Sequence, residues 1–461
     1  MNADTRDTTQ DGRGGYPPRR ARISWMLFDW AQQPFFTLIT TFIFAPYFAA
    51  QVAPDPATGQ ALWGYAVALS AFAIAIFAPV LGAVADRTGA LKGWTAGFSV
   101  LLIIGATLLW FAVPGGGGVW IALTAFVIAT IGAEFAVVFV NALMPRLVPA
   151  DRLGRLSGTG WAVGYAGGLV ALFATLAFLA ADPDTGKTLI GATPPFGLDP
   201  TLFEGERLTG PLSALWFVVF AIPFFLFTPD PPRTTIAFMP AARAGIAELA
   251  ETFREARANG TILRFLIARM AYMDGLVALT TFGAIYAASL LSWGTIEIGI
   301  FAIVIVIAAT AGAALGGMLD DRFGAKSTIV WSLVILLISG IMLVSVTPVS
   351  IFFVVPVAPP GDAMFSGAAE WVYLAAGALV GVANGPVNAS SRSLLARLAP
   401  AEDLGKFFGL YALSGKLTAF AGPLTVGLVI SASGSQRLGM SVILVFFLVG
   451  LAILMTVRAP R

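Results

Sequence analysis

The sequence predicts an all-α polytopic membrane protein with twelve transmembrane helices, arranged as two six-helix halves repeated in the same direction. Three observations carry that prediction. Of the 461 residues, 58% are hydrophobic and only 11% charged, against about 25% charged in a soluble domain. Apolar runs of about 18 residues or more recur from one end of the chain to the other. One polar segment also occurs twice: Arg146, Leu147, Pro149, Ala150, Leu153, Gly154 and Gly158 fall without a gap on Arg397, Leu398, Pro400, Ala401, Leu404, Gly405 and Gly409. A second pair agrees with it, Gly82-Ala-Val-Ala-Asp-Arg87-Thr-Gly-Ala against Gly317-Met-Leu-Asp-Asp-Arg322-Phe-Gly-Ala.

In chain order the spans are expected at roughly 24–50, 62–85, 93–112, 119–143, 156–181, 211–228, 262–290, 296–319, 327–347, 368–391, 407–430 and 438–457. The resulting organisation is a tail (1–22), a first six-helix half (23–228), a connector (229–261), a second half (262–457) and a short C-terminal tail (458–461). No cleavable signal pattern follows the Arg-rich tail, so the first apolar run is read as an uncleaved helix. The loops divide by charge. Most of the Lys and Arg lie in the tails, the 86–92 and 144–155 loops, the connector and the 321–327 and 392–406 loops; the opposite loops hold only Lys187, Arg207 and Arg437. That asymmetry predicts cytoplasmic termini and a plasma or inner membrane location. Within the connector, Ile246, Leu249, Ala250 and Phe253 share one face of residues 241–258, as in an amphipathic helix lying at the interface.

The composition also excludes chemistry. With no Cys and no His, disulfides, thiol catalysis, His metal sites and His proton relays are absent. Gly115–Gly118 lacks the strand, Lys and Ser/Thr of a phosphate-binding loop. No nucleophile–base pair or metal cluster is legible, so the protein is read as neither an enzyme nor a nucleic-acid binder, without metal or cofactor.

Charges inside hydrocarbon are costly and mark function or pairing. Asp29 in span one and Asp274 in span seven occupy equivalent helices of the two halves. Each is read as a substrate or coupling-ion ligand or as a gate lock, and Asp29 lies about 10 Å along the helix from Arg22 at about 1.5 Å per residue. Glu134 in span four is the candidate proton carrier, and Lys416 in span eleven a partner for a substrate carboxylate or for Glu134 or Asp274. Arg269 in span seven completes the intramembrane charges. Gln32 and Gln33, beside the helix-loosening Pro34, and Asn384 and Asn388, one turn apart in span ten, are the neutral candidates. Gly160, Gly164 and Gly168 form a close-packing stripe. Asp86, Arg87 and Gly89, and likewise Asp321, Arg322 and Gly324, form gating loops together with Arg146 and Arg397.

Asp86-Arg87-Thr-Gly and Asp321-Arg322-Phe-Gly resemble the signature loops of the major facilitator superfamily. More specific are Phe28-Asp29-Trp30-Ala31, Asn141-Ala-Leu-Met-Pro145, Ser157-Gly-Thr-Gly-Trp161-Ala-Val-Gly-Tyr165-Ala-Gly-Gly168, Ser391-Arg392-Ser393 and Phe407-Phe-Gly-Leu-Tyr411-Ala-Leu-Ser-Gly-Lys416. Together these resemble the "unknown major facilitator" branch related to the vacuolar amino-acid effluxers of fungal autophagy, with Asn384 and Asn388 standing where Gln is commoner. The resemblance implies the major facilitator fold and secondary transport by alternating access. H⁺ is the expected coupling ion, with Na⁺ as the alternative, and amino acids suit a cavity holding both Asp and Lys. Efflux of amphipathic drugs or metabolites is the second transport reading, and a membrane sensor without flux the reading from another class. The expected partners are a small-molecule substrate and the lipid bilayer, with the chain acting as a monomer.

Overall fold

A computed structural model describes residues 16–458 apart from 55, 116, 182, 184, 232–259, 292, 294, 360, 362–364, 401–402, 417, 420 and 434. The helix expected at 241–258 and the side chains of Asp86 and Lys416 lie outside the described residues.

Helix α1 (Arg19–Pro34) begins inside the segment expected as tail. Pro18 is extended and its carbonyl accepts from the Ala21 N–H, and the long Arg side chains of the first turn can reach water while their stems stay on the bundle. Pro34 has no N–H to donate, and beyond it the helix widens into π turns over Phe35–Phe42. There the Thr40 and Thr41 hydroxyls donate to the carbonyls of Phe35 and Phe36, five residues back, at 3.4 and 2.9 Å. A one-turn helix Phe44–Tyr47 and a second π segment Phe48–Val52 complete the span.

The first half continues with α2 (Pro56–Thr88), α3 (Leu91–Leu108), α4 (Val119–Leu143), α5 (Leu153–Phe178) and α6 (Glu204–Phe227). The second half holds α7 (Gly260–Leu291), α8 (Thr295–Phe323), α9 (Ala325–Ser345), α10 (Ala368–Leu398), α11 (Leu404–Lys416), α12 (Ala421–Ser433) and α13 (Gln436–Met455). Where one helix was expected over 407–430, there are two. Pro423 lacks a backbone N–H, and it falls in the first turn of the second helix, which restarts at Ala421, where no intrahelical partner is lost. Nine helices among the described residues are long and apolar enough to cross a membrane. Large apolar side chains such as Phe72, Trp120 and Leu215 stand exposed on the outside, as lipid contact requires.

The packing repeats with the sequence. Helix α1 lies against α5 and α6, as α7 lies against α11 and α13; α4 packs on α2 and α3, as α10 packs on α8 and α9. Between the halves α5 runs along α8 and α2 along α11, a second symmetric pair. Gly89 (φ 64) and Gly324 (φ 87) make the tight turns into α3 and α9, in a left-handed region where a β-carbon is strained.

The halves close on each other at the end that carries the 144–155 and 321–327 loops. A β-carbon on Gly158 would stand 2.6 Å from the Ala313 carbonyl oxygen and from the Gly317 Cα. Backbone here meets backbone, which only glycine permits.

Candidate functional site

Four helices converge on one buried cation between the halves. Arg392, near the end of α10, is 3% exposed, and each nitrogen of its guanidinium donates to the opposite half. Nε reaches the Ser157 hydroxyl at 2.8 Å and Nη2 the Ser157 carbonyl at 2.7 Å. Nη1 is shared between Asn141 Oδ1 at 3.1 Å and Asp29 Oδ2 at 3.3 Å. The guanidinium carbon also lies 4.9 Å from the Trp25 ring centre and 5.9 Å from that of Trp161, within cation–π range. Trp25 is held by its own bond to the Val140 carbonyl at 2.8 Å. Asp29 therefore pairs with Arg392 of the other half rather than with Arg22 of its own helix.

Gly160 makes the convergence possible. A β-carbon there would stand 2.7 Å from Asp29 Oδ2, 3.0 Å from the Trp25 ring and 3.2 Å from Arg392 Nη2. The stripe continues along α5, with Gly164 against Asp29 and Gly168 against Gln33 and Thr37. Gln32 is buried and donates to the Ala133 carbonyl at 3.0 Å, next to Glu134, which is half-buried. Farther along α10, Asn388 donates to Asn384 Oδ1 at 2.9 Å and Asn384 reaches the Tyr165 hydroxyl at 3.4 Å, so this pair too faces the other half.

A second ionic cluster lies at the closed end. Asp320 is 1% exposed; it pairs with Arg397 Nη1 at 2.7 Å and accepts from the Ser393 hydroxyl. Its neighbour Asp321 crosses to the other half, accepting the Arg155 backbone N–H at 2.9 Å and facing Arg155 Nε at 3.5 Å. That N–H belongs to the first turn of α5, where helix donors are left without partners in the helix. Gly154 lies over Asp320, with no room for a β-carbon. Arg146 is exposed while its repeat counterpart Arg397 is partly buried and ion-paired in this cluster, so the sequence repeat does not carry equal roles. Arg87 and Arg322, expected on loops, lie in the last turns of α2 and α8.

In the second half, Arg269 is buried and donates to the Tyr411 carbonyl and the Ser414 hydroxyl, both at 2.8 Å, with its guanidinium 3.6 Å above the Tyr411 ring. Asp274, 4% exposed, lies one and a half turns farther along α7, its carbonyl against Gly422. Asp29 and Asp274 thus occupy equivalent helices but different surroundings: a cation of the opposite half is bound to one, the α11–α12 break adjoins the other.

Arg392 and Asp320 escaped selection from the sequence. The span was expected to end at 391, which left Arg392 in a loop, whereas α10 runs to Leu398. The run Ser390–Ser393, with an Arg flanked by hydroxyls, was the available signal of a buried polar turn.

Two interlocking six-helix halves with ion pairs between them define a major facilitator transporter. The chain belongs to the family described as "Vacuole effluxer Atg22 like", which matches residues 57–461. It is 25% identical to an uncharacterized MFS-type transporter, YxiO, of Bacillus subtilis, over 94% of this chain and 93% of that one. It is also 25% identical to autophagy-related protein 22 of Cryptococcus neoformans, over 67% of this chain but only 53% of the fungal protein. Among solved structures, the proton:xylose symporter XylE superposes with a TM-score of 0.67 at 14% identity, covering 95% of this chain and 96% of that one, a likeness of fold.

Proposed function

We propose that this transporter carries amino acids, coupled to H⁺, by alternating access between its two halves. The observation that carries the proposal is the Asp29–Arg392 pair, one acid and one base contributed by opposite halves and joined across their interface. An amino acid brings an ammonium for Asp29 and a carboxylate for Arg392. Its binding replaces the direct pair by two substrate bonds, so the loss of the protein's own contact is offset and the halves are free to separate. Planar guanidinium suits a carboxylate through two parallel hydrogen bonds. Asn384, Asn388 and Tyr165 supply neutral donors one and two turns farther along the same helices.

Glu134 is assigned the proton. Asp321 and Asp320 act as the latch of the closed end, and with the loops rich in Lys and Arg on the cytoplasmic side that closed end is the cytoplasmic one. The test is charge movement in proteoliposomes under an imposed pH gradient, with each amino acid applied in turn. A saturable current for one class, lost in Arg392→Gln, supports the assignment. Silence across all amino acids from folded protein removes the substrate and leaves the fold.

A further inference from the structure

Below the Asp29–Arg392 pair, at the closed end, a cavity of about 750 Å³ opens between the start of α1, the 144–155 loop and the start of α5. Among the described residues that line it are four arginines, Arg19 and Arg22 from α1 and Arg152 and Arg155 from the approach to α5, and two carboxylates, Asp151 and Asp321. Among the described residues neither Arg19 nor Arg22 has a carboxylate partner. Arg155 is engaged only on one side, its side chain 66% exposed while Nε faces Asp321 at 3.5 Å. Ile23, Met26, Val148 and Leu156 add an apolar lining.

Guanidinium groups gathered in one concavity repel one another unless an anion lies between them, and their planar forks match the oxygens of a phosphate. Each cation sits about one turn from another on its own segment, one pair on α1 and one on the approach to α5. Arg22 lies about 10 Å nearer the helix end than Asp29 at about 1.5 Å per residue, which is the level of polar headgroups rather than of the hydrocarbon. Cations beside an apolar lining suit a group that is anionic at one end and greasy at the other.

We propose that this cavity binds a phosphate ester, supplied either by an anionic lipid headgroup or by a soluble phosphate-bearing anion. Because Arg155 serves both the cavity and Asp321, occupancy draws on the guanidinium that also faces the latch between the halves. The inference is independent of which solute the protein transports.

The test uses the full chain in neutral detergent micelles at constant ionic strength. Thermal unfolding is followed while short-chain phosphatidylglycerol, short-chain phosphatidylcholine and inorganic phosphate are titrated separately. A saturable rise in the melting midpoint with phosphatidylglycerol but with neither phosphatidylcholine nor phosphate identifies a lipid headgroup. An equal rise with inorganic phosphate identifies a soluble anion. In either case Arg22→Gln/Arg152→Gln weakens binding at least about tenfold, the effect of losing one charge-assisted hydrogen bond. Arg264→Gln, at the same end but outside the cavity, leaves it unchanged. Should the double variant fail to fold, Arg22→Gln alone makes the same comparison. Equal responses to both lipids, no response to any probe, full binding by the folded variant, or equal loss in Arg264→Gln would each overturn the proposal.

Discussion

Arg392 and Asp29 stand 363 residues apart in sequence and 3.3 Å apart in space, and the contact joins the two halves of the protein. The other hydrogen bonds of the same guanidinium also go to the opposite half, to Ser157 and Asn141. Separation of the halves at this end must therefore break the whole set together.

The first prediction concerns that set. Removing Asp29 alone leaves a buried guanidinium without its counter-charge, which costs about 3–5 kcal/mol when a buried pair is broken. Asp29→Asn and Arg392→Gln each lower the thermal midpoint in detergent, and the double variant is less destabilised than the sum of the two. A coupling of about 0.5–3 kcal/mol is expected for residues in direct contact. Strict additivity would show that the pair is not an energetic unit.

Gly160 carries the second prediction. A methyl group at this position meets Asp29, Trp25 and Arg392 within 3.2 Å, so Gly160→Ala must push at least one of them away. Overpacking of this kind costs about 1–3 kcal/mol. Gly97→Ala, where a β-carbon meets nothing within 4 Å, is the matched control and leaves the thermal midpoint unchanged.

The two adjacent acids of α8 differ in consequence. The buried Asp320 holds Arg397 at 2.7 Å, whereas Asp321 is anchored by the α5 backbone and the exposed Arg155. Asp320→Asn therefore destabilises the protein more than Asp321→Asn does, while Asp321→Asn acts chiefly on closure between the halves. The chain has no Cys, so Thr159→Cys provides a unique thiol in the cavity at that end. Its labelling rate rises in Asp321→Asn; an unchanged rate would count against the latch.

Proton coupling is checked on Glu134. With Glu134→Gln in proteoliposomes, uptake driven by a pH gradient is lost while exchange of substrate for substrate continues. If the variant still follows the gradient, the proton travels on another carboxylate, and Asp274, buried beside the α11–α12 break, is the next to replace.

Much of the architecture was legible because a membrane forces each span to satisfy its backbone locally. The Asp-Arg-x-Gly repeats marked the turns at Gly89 and Gly324, since a residue of positive φ between two helices favours glycine. Pro34 marked the loosened stretch of the first span for a similarly local reason, the missing N–H. The break between α11 and α12 was as local, flanked by Gly415 and Lys416 on one side and Gly422 and Pro423 on the other, but the apolar runs around it read as one span.

What the amino-acid sequence by itself determined was the all-helical, membrane-spanning plan, its twofold repetition and its charge asymmetry, because hydrophobic length, helix-breaking residues and loop charge each act within a few turns of chain. Only the tertiary structure decided which intramembrane charges meet. Asp29 had an Arg of its own helix within reach, yet its partner is Arg392, because the glycine face of α5 brings α1 close and turns Trp25 and Asp29 toward α10. The depth and rotation of each helix are set by that packing against its neighbours, and neither can be read from the helix alone.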